Sequence, residues 1–147
     1  MSVVNVITID GPAGSGKSTV SRQLAARIGY AYLDTGAMYR AVALAAKRGG
    51  ISMDDRSGLG KLCGNLNLHF VSEKDPPRLF MKNEDISEKI RTPEIDMLSS
   101  SVSAVKEVRE AMCDLQRKIS CNLNTGLVAE GRDMGTVVFP KARFKFL

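Results

Sequence analysis

A glycine-rich segment near the N-terminus carries the clearest chemical signal in the sequence. Residues 11–18, Gly-Pro-Ala-Gly-Ser-Gly-Lys-Ser, follow the pattern G-x-x-x-x-G-K-S/T of a phosphate-binding loop. In such a loop the backbone N–H groups and the N-terminus of the following helix surround the phosphates of a nucleoside triphosphate. Lys17 would reach the β- and γ-phosphates, and the Ser18 hydroxyl would bind Mg²⁺. The alternative is a glycine-rich turn with an incidental lysine, which the flanking strand and helix disfavour.

A second polar segment, Asp-Thr-Gly-Ala-Met-Tyr-Arg at residues 34–40, follows the next predicted strand. Ligands of doubly wound sheets bind at the carboxyl ends of the strands. Arg40, one turn into the following helix, can direct its guanidinium towards that edge and hold a second anion. Such a site would indicate a kinase that acts on a small phosphorylated acceptor. The alternative for Arg40 is a solvated helix residue.

A third polar segment lies at residues 129–136, again directly after a predicted strand. Glu130 could hold Mg²⁺ through a water molecule, which is a common role for an acidic residue at this place. Arg132 and Asp133 could form an ion pair on a surface loop. A surface ion pair is the weaker interpretation, because polar residues lie at the carboxyl ends of all three predicted strands that lead into residues 11–18, 34–40 and 129–136.

The elements that must position these residues alternate between strand and helix over the first fifty residues. A β-branched run at 3–9 predicts a strand buried on both faces, as in a parallel sheet. A helix at 17–28, with apolar Val20, Leu24 and Ile28 and a stop at Gly29, follows it. A strand at 30–34 and a helix at 37–48 complete an α/β pattern with parallel strands.

The pattern changes after about residue 60. Alternating apolar and polar residues at 66–70, a turn, and a strand at 78–82 predict a small antiparallel β insertion at 61–91. Thr92 and Pro93 then begin one long helix or two abutting helices, followed by strands at 125–129 and 144–147. We therefore expect a P-loop core of residues 1–60 and 92–147, in a three-layer α/β fold.

The amino-acid composition indicates which classes of ligand the protein binds. The 147 residues carry a formal net charge of +5 with 5% aromatic residues, no Trp and no basic block, which favours small phosphorylated ligands over nucleic acid.

No apolar run approaches the ~18 residues of a membrane span, and residues 1–10 are typical of a strand rather than a secretion signal. Three widely spaced cysteines without C-x-x-C predict reduced thiols. We expect a cytoplasmic protein without membrane or nucleic-acid partners, in which His69 is a solvated surface residue.

Other nucleotide-binding classes lack their motifs here. A GTPase would need the guanine motif N-K-x-D, and an ABC-type ATPase would need L-S-G-G-Q; neither occurs in the sequence.

Taken together, four segments resemble bacterial cytidylate kinases. They are the residues at 11–18 and 34–40, Asn-Glu-Asp-Ile-Ser-Glu-Lys-Ile-Arg-Thr at 83–92, and Glu-Gly-Arg-Asp-Met-Gly-Thr-Val-Val-Phe-Pro at 130–140. The resemblance covers essentially the whole chain. It implies ATP-dependent phosphorylation of CMP or dCMP with Mg²⁺ as cofactor, by an enzyme that is a monomer when complete. The alternatives are a kinase for UMP or AMP, and a nucleotide-binding fragment without useful activity.

The resemblance also implies roles for individual residues. Lys17 and Arg132 would be catalytic, and Ser18, with Glu130 through water, would hold the metal. The expected ATP-binding residues are those of the glycine-rich segment and its first helical turn: Gly11, Pro12, Ala13, Gly14, Ser15, Gly16, Lys17, Ser18 and Thr19. Arg40 and Arg132 would clamp the phosphate of the acceptor, and Ser100, Arg109 and Asp133 would contact the cytosine. The full set of expected CMP-binding residues is Asp34, Thr35, Tyr39, Arg40, Ser100, Arg109, Arg132 and Asp133.

In the family the chain continues beyond the strand at 144–147, with a mobile lid and terminal helices. The resemblance therefore implies that the 147 residues correspond to the N-terminal part of the family's chain.

Overall fold

The structure is a computed structural model that describes residues 5–12, 14–71 and 77–147. Ala13, an expected ATP-binding residue, lies outside the described residues. The chain divides into two units: Met1–Gly36 with Leu115–Leu147, and Ala37–Asp114. The predicted boundaries of the P-loop core and the β insertion, at residues 60 and 92, remain a prediction.

Helices and strands alternate at the start of the chain, as the sequence predicts. In chain order the elements are β1 (Val6–Asp10), α1 (Lys17–Ile28), β2 (Ala31–Asp34), α2 (Thr35–Gly49), α3 (Arg56–Gly64), β3 (Leu68–Val71), β4 (Arg78–Met81), β5 (Glu84–Asp85), α4 (Pro93–Ser103), α5 (Lys106–Cys121), β6 (Leu127–Gly131), a π-helix (Met134–Val138) and β7 (Phe144–Phe146). Among the described residues, no helix is both long enough and apolar enough to cross a membrane.

The first unit is built on a four-stranded parallel sheet in the order β2-β6-β1-β7. Every residue of β6 is buried, as expected for a central strand of a parallel sheet. Ile9, Tyr32 and Val128 form a buried cluster with Ala25 of α1. The register pairs Ile9 of β1 and Asp34 of β2 with Glu130 of β6, so the carboxyl ends of the three strands are aligned. The predicted parallel α/β core is confirmed.

The second unit contains the antiparallel sheet β3-β4-β5 and most of the helices. Its strands follow the predicted alternation, since Leu68 is buried while His69 is exposed and stacks on Phe80 with ring centroids 5.4 Å apart. Thr92 caps α4, because its hydroxyl accepts the N–H of Ile95. The predicted helical stretch after residue 92 consists of two abutting helices, α4 and α5.

Three elements differ from the sequence-based expectation. Helix α3 occupies residues 56–64, where no helix was expected and where the predicted β insertion begins; Gly58, Gly60 and Gly64 lower its helix propensity and hide it from pattern analysis. Residues 84–85, expected in a turn, form the short strand β5. The turn itself lies just before them, where Lys82 has a φ of 55°. The π-helix after β6 was not expected either, and such segments are frequent at functional sites.

Candidate active site

The phosphate-binding loop leaves the carboxyl end of β1 and enters α1. Gly14 and Gly16 have φ values of 77° and 82°, a backbone conformation that residues with a Cβ rarely adopt. Among the described residues no side chain caps α1, and its first turn holds no acidic residue. Its N–H groups and partial positive charge therefore stay available for an anion. The half-buried Lys17 donates to the carbonyl of Pro12 at 3.2 Å within the same loop.

Glu130, at the carboxyl end of β6, is the centre of a hydrogen-bonded cluster. Its side chain accepts a hydrogen bond from Ser18 at 3.1 Å and another from the phenol of Tyr32. Its backbone carbonyl accepts from Thr35 Oγ1 at 2.8 Å. Glu130 is only 2% exposed, so these donors compensate for the loss of water around a carboxylate. The structure thus brings together Ser18 and Glu130, the two predicted metal-binding residues.

The environment of Glu130 changes its affinity for a proton. Burial and then the nearby Asp34 raise its pKa above the ordinary value of 4.5, while hydrogen bonds from Tyr32 and Ser18 and the charge of Lys17 act in the opposite direction. Burial, Asp34 and Glu130 also raise the pKa of Tyr32, so this phenol stays protonated and remains a donor. A carboxylate that is buried with a raised pKa at a strand end is typical of functional sites.

The segment after β6 carries Arg132 and Asp133 and is bound to the end of β1. The N–H of Gly11 donates to the carbonyl of Gly131 at 3.1 Å. The carboxylate of Asp10 accepts the N–H of Met134 at 2.8 Å and that of Gly135 at 2.9 Å. The phosphate-binding loop and the Arg132–Asp133 segment therefore start from one hydrogen-bonded junction in the first unit.

The predicted site residues of the first unit differ in exposure. Arg132 is exposed and Asp133 is half-buried, which suits side chains that contact a ligand. Thr35 is buried and gives its hydroxyl proton to β6, so it stabilises the strand end. The roles of these three residues and of Asp34 in CMP binding remain predictions, as does the role of Thr19 in ATP binding. The role of Tyr39 in CMP binding, in the second unit, also remains a prediction.

The second unit carries the remaining predicted residues on its helices. Arg40 of α2 forms an ion pair with Asp96 of α4, with 3.2 Å between Nη2 and Oδ1. Ser100 is exposed on α4, where its hydroxyl donates to the carbonyl of Asp96 at 3.4 Å. Arg109 is exposed on α5. The contacts of Arg40, Ser100 and Arg109 with a nucleotide remain predictions.

Comparison with known proteins decides the family. The family model for cytidylate kinase matches residues 7–147. The chain belongs to the cytidylate kinase family. The chain is 50% identical to a cytidylate kinase of Citrifermentans bemidjiense and 52% identical to one of Syntrophotalea carbinolica, in each case over 141 residues. Both alignments cover 96% of this chain.

The chain spans about 60% of the length of these two curated relatives. The alignments cover 60% of the Citrifermentans protein and 59% of the Syntrophotalea protein. The matched residues include every described element of both units, from the second residue of β1 to the end of the chain. The resemblance stated from the sequence motifs is therefore confirmed at the level of the family.

Sequence reasoning missed two residues of the candidate site. Tyr32 lies in the strand predicted at 30–34 and was assigned no role in the site, yet its hydroxyl donates to Glu130. Asp10 looked like the last residue of a strand, yet it binds two backbone N–H groups of the segment after β6. A polar side chain at the carboxyl end of an apolar strand is a weak signal that could have pointed to Asp10. No local pattern marks Tyr32.

Proposed function

We propose that the protein transfers the γ-phosphoryl group of ATP to CMP or dCMP and forms ADP and the corresponding diphosphate. The observation that carries this proposal is the pairing of Ser18 in the phosphate-binding loop with the buried Glu130, in a chain that matches the cytidylate kinase family. The loop supports binding of a triphosphate, and the family supports a pyrimidine monophosphate as acceptor.

The residues present fit a magnesium ion. Mg²⁺ prefers oxygen ligands and is usually held by one or two protein groups together with substrate phosphates. Because Ser18 gives its proton to Glu130, its oxygen keeps lone pairs for a cation. We assign the direct contact to Ser18 and a contact through water to Glu130. When bound, Mg²⁺ neutralises charge on the transferring phosphates.

The reaction itself needs no general base. An oxygen of the acceptor phosphate, already ionised at neutral pH, forms a bond to the γ-phosphorus of ATP while the bond from that phosphorus to the β-phosphate oxygen breaks. ADP leaves with the electron pair of the broken bond. Catalysis then consists of positioning and of stabilising negative charge, which are the roles we assign to Lys17 and Arg132.

Selection of cytosine follows from hydrogen-bond chemistry. The amino group at N4 of cytosine is a donor that a carboxylate such as Asp133 can accept. Its N3 and O2 are acceptors, which match the guanidinium of Arg109 and the hydroxyl of Ser100. Uracil presents the opposite pattern at N3 and O4, so the partner groups would stay unpaired. Arg40 and Arg132 would hold the acceptor phosphate.

An assay of ADP release with four acceptors tests the proposal. The chain should release ADP from ATP with CMP and dCMP, slowly or not at all with UMP and AMP, and only with Mg²⁺ present. Faster turnover with UMP or AMP would assign the protein to another monophosphate. Binding of ATP and CMP, measured by calorimetry, without turnover of any acceptor would reduce its role to nucleotide binding.

The proposed cytoplasmic location and monomeric state rest on the resemblance and on sequence composition. We also propose the domain boundaries at residues 60 and 92 from the change in sequence pattern there.

A further inference from the structure

The segment that carries Arg132 and Asp133 is held at its start by a buried carboxylate. Asp10 is 5% exposed, and each of its two oxygens accepts one backbone N–H, from Met134 and from Gly135. These are the first N–H groups of the π-helix, where a negative charge is favourable. Hydrogen bonds from N–H groups to a charged acceptor are stronger than those between neutral groups. Asp10 thus fixes the backbone directly after Asp133.

The same segment is held at its other end by a guanidinium. Arg117 of α5, which belongs to the same unit, donates from Nε to the carbonyl of Val138 and from Nη2 to the carbonyl of Val137, both at 3.0 Å. These carbonyls end the π-helix, where a positive charge is favourable. Between the two ends, the carbonyl of Asp133 accepts the N–H groups of Val137 and Val138.

Close packing leaves this segment little freedom. A Cβ at Gly131 would lie 2.4 Å from Thr35 Oγ1, and a Cβ at Gly135 would lie 2.8 Å from Thr8 Oγ1. Both distances are too short for any side chain, so the two glycines let the segment approach the sheet. Parallel pairing places Asp10 opposite Gly131, directly beside the first residue of the phosphate-binding loop.

We propose that Asp10 and Arg117 are positioning residues that hold Arg132 and Asp133 in register with the phosphate-binding loop. The inference rests on the proposed function, in which these two side chains contact the acceptor. Asp10 is buried, and both of its oxygens already accept backbone N–H groups, so we assign it no direct contact with the nucleotide. It acts through the backbone of the segment it holds, and a displacement of about 1 Å there would be costly, since such misplacement can lower rates ~100-fold.

Asp10→Asn tests the first residue. Asparagine can accept only one of the two N–H groups and presents its own NH₂ to the other, so the segment should shift without losing all support. We expect KM for CMP to rise ~10-fold or more, because bonds to a charged acceptor are lost, and the preference for CMP over UMP to fall. KM for ATP should stay within about twofold, since the triphosphate contacts the glycine loop and α1.

Thr8→Val is the matched control. Thr8 lies buried on the same strand, and its hydroxyl has no hydrogen-bond partner among the described residues, so valine should leave both KM values unchanged. Asp10→Asn kinetics that match Thr8→Val, or a loss of kcat with unchanged KM values and unchanged selectivity, would overturn the positioning role.

Arg117→Lys keeps the inference testable if Asp10→Asn does not fold. Arg117 is exposed, so a lysine is accommodated, but it lacks the planar fork that reaches both carbonyls. The same selective rise in KM for CMP is expected, at smaller size. Equal KM values for Arg117→Lys and the unmodified protein would contradict the role of Arg117.

Amide hydrogen exchange separates this inference from the proposed function. In Asp10→Asn, exchange should accelerate at Met134 and Gly135, while the amides of β6 keep their protection. Accelerated exchange in a protein that phosphorylates none of the four monophosphates would contradict the proposed function alone. Efficient phosphorylation of CMP that Asp10→Asn does not affect would contradict the inference alone.

Discussion

Ser18 and Glu130 meet at the carboxyl end of the sheet: the hydroxyl of Ser18 donates to Oε2 of Glu130 at 3.1 Å, although 112 positions separate them in the sequence. The contact joins the first turn of α1 to the end of β6, two places that the sequence marks only by separate motifs. A hydroxyl and a carboxylate so arranged form a donor set of hard oxygens at the end of the phosphate-binding loop. This pair is the structural core of the proposed donor site.

Replacement of Lys17 by alanine should slow phosphoryl transfer strongly and leave the fold intact. Lys17 acts on charge that develops during transfer, and loss of such a group costs ~100- to 1000-fold in kcat. Among the described residues, its side chain donates to the loop carbonyl of Pro12, a contact that the fold does not depend on. The measurement is kcat by ADP release, together with a thermal melt.

Lys145→Ala is the matched control for Lys17→Ala. Lys145 is also a lysine that donates to a proline carbonyl five residues earlier, that of Pro140 at 2.6 Å, but it lies on β7. Its removal should leave kcat unchanged. Full activity in Lys17→Ala would contradict the assignment of residues 11–18 to the triphosphate.

Asp133→Asn should weaken CMP binding more than ATP binding and relax the discrimination against UMP. Asparagine can present either a donor or an acceptor to the base, whereas a carboxylate only accepts. A mismatched polar pair costs about 1–3 kcal/mol, which corresponds to a rise of ~5- to 150-fold in KM for CMP. Kinetics with CMP, UMP and varied ATP check this, with the exposed Asp114→Asn as control. An effect on ATP alone would move Asp133 to the donor site.

Glu130→Gln should make the protein more stable at neutral pH and less active. Burial raises the pKa of Glu130 in the folded chain above 4.5. Between pH 4.5 and this higher pKa, the folded state therefore binds more protons than the unfolded state. Stability therefore falls as the pH rises from 4.5 through the folded pKa. Glutamine avoids this loss and can still accept from Tyr32 and donate to Ser18.

Thermal melts across pH check this sign. The Tm of Glu130→Gln should exceed that of the unmodified protein by a margin that grows as the pH rises above 4.5. Activity should drop ~10- to 100-fold, the usual effect of removing an outer ligand of a metal site. A Tm below that of the unmodified protein at every pH would contradict the account of Glu130 as a destabilising functional residue.

Glu84→Gln should remove an acid-sensitive part of the second unit's stability. Glu84 accepts two hydrogen bonds from Arg48, at 2.7 and 2.9 Å, and one from Lys89. Chiefly through the Arg48 hydrogen bond, its pKa is lowered from 4.5 to about 2. Because the folded pKa is depressed, the contribution to stability is present above pH 4.5 and is lost as the pH falls towards 2.

Urea unfolding at several pH values measures the effect of Glu84→Gln. The variant should be less stable at pH 7, and the difference should disappear near pH 2. Glu110→Gln is the control, because Glu110 is exposed and its ion pair with Lys106 is long, at 3.9 Å. A difference for Glu84→Gln that persists unchanged at pH 2 would show that packing, not charge, causes it.

Local sequence signals predicted where helices and strands begin and end better than they predicted which side of a helix is buried. The bounds of α1 agree with the prediction, because Gly16 and Gly29, with φ values of 82° and 72°, mark its two ends. Yet Val20 and Ile28, two of the three predicted apolar positions, are 57% and 42% exposed, while Ser21 and Ala25 are buried. Small side chains let the helix lie close to the sheet, and hydrophobicity alone does not reveal that.

The site shows the same division between local and long-range information. Ser18 and Glu130 could be predicted because each lies in a motif with its own chemistry. No local pattern marks Tyr32, and the strand end marks Asp10 only weakly, since the contacts of both depend on the parallel register that sets β1 and β2 beside β6. Register is a property of the whole sheet, so residues that act through it become visible only in the folded chain.

Transfer of label from [γ-³²P]ATP tests the central claim most directly. The protein, CMP, Mg²⁺ and labelled ATP are incubated, and the products are separated by chromatography. The account predicts label in CDP, in an amount that depends on CMP and falls strongly in Lys17→Ala. Label released only as inorganic phosphate, or transferred to UMP or AMP in preference to CMP, would contradict it.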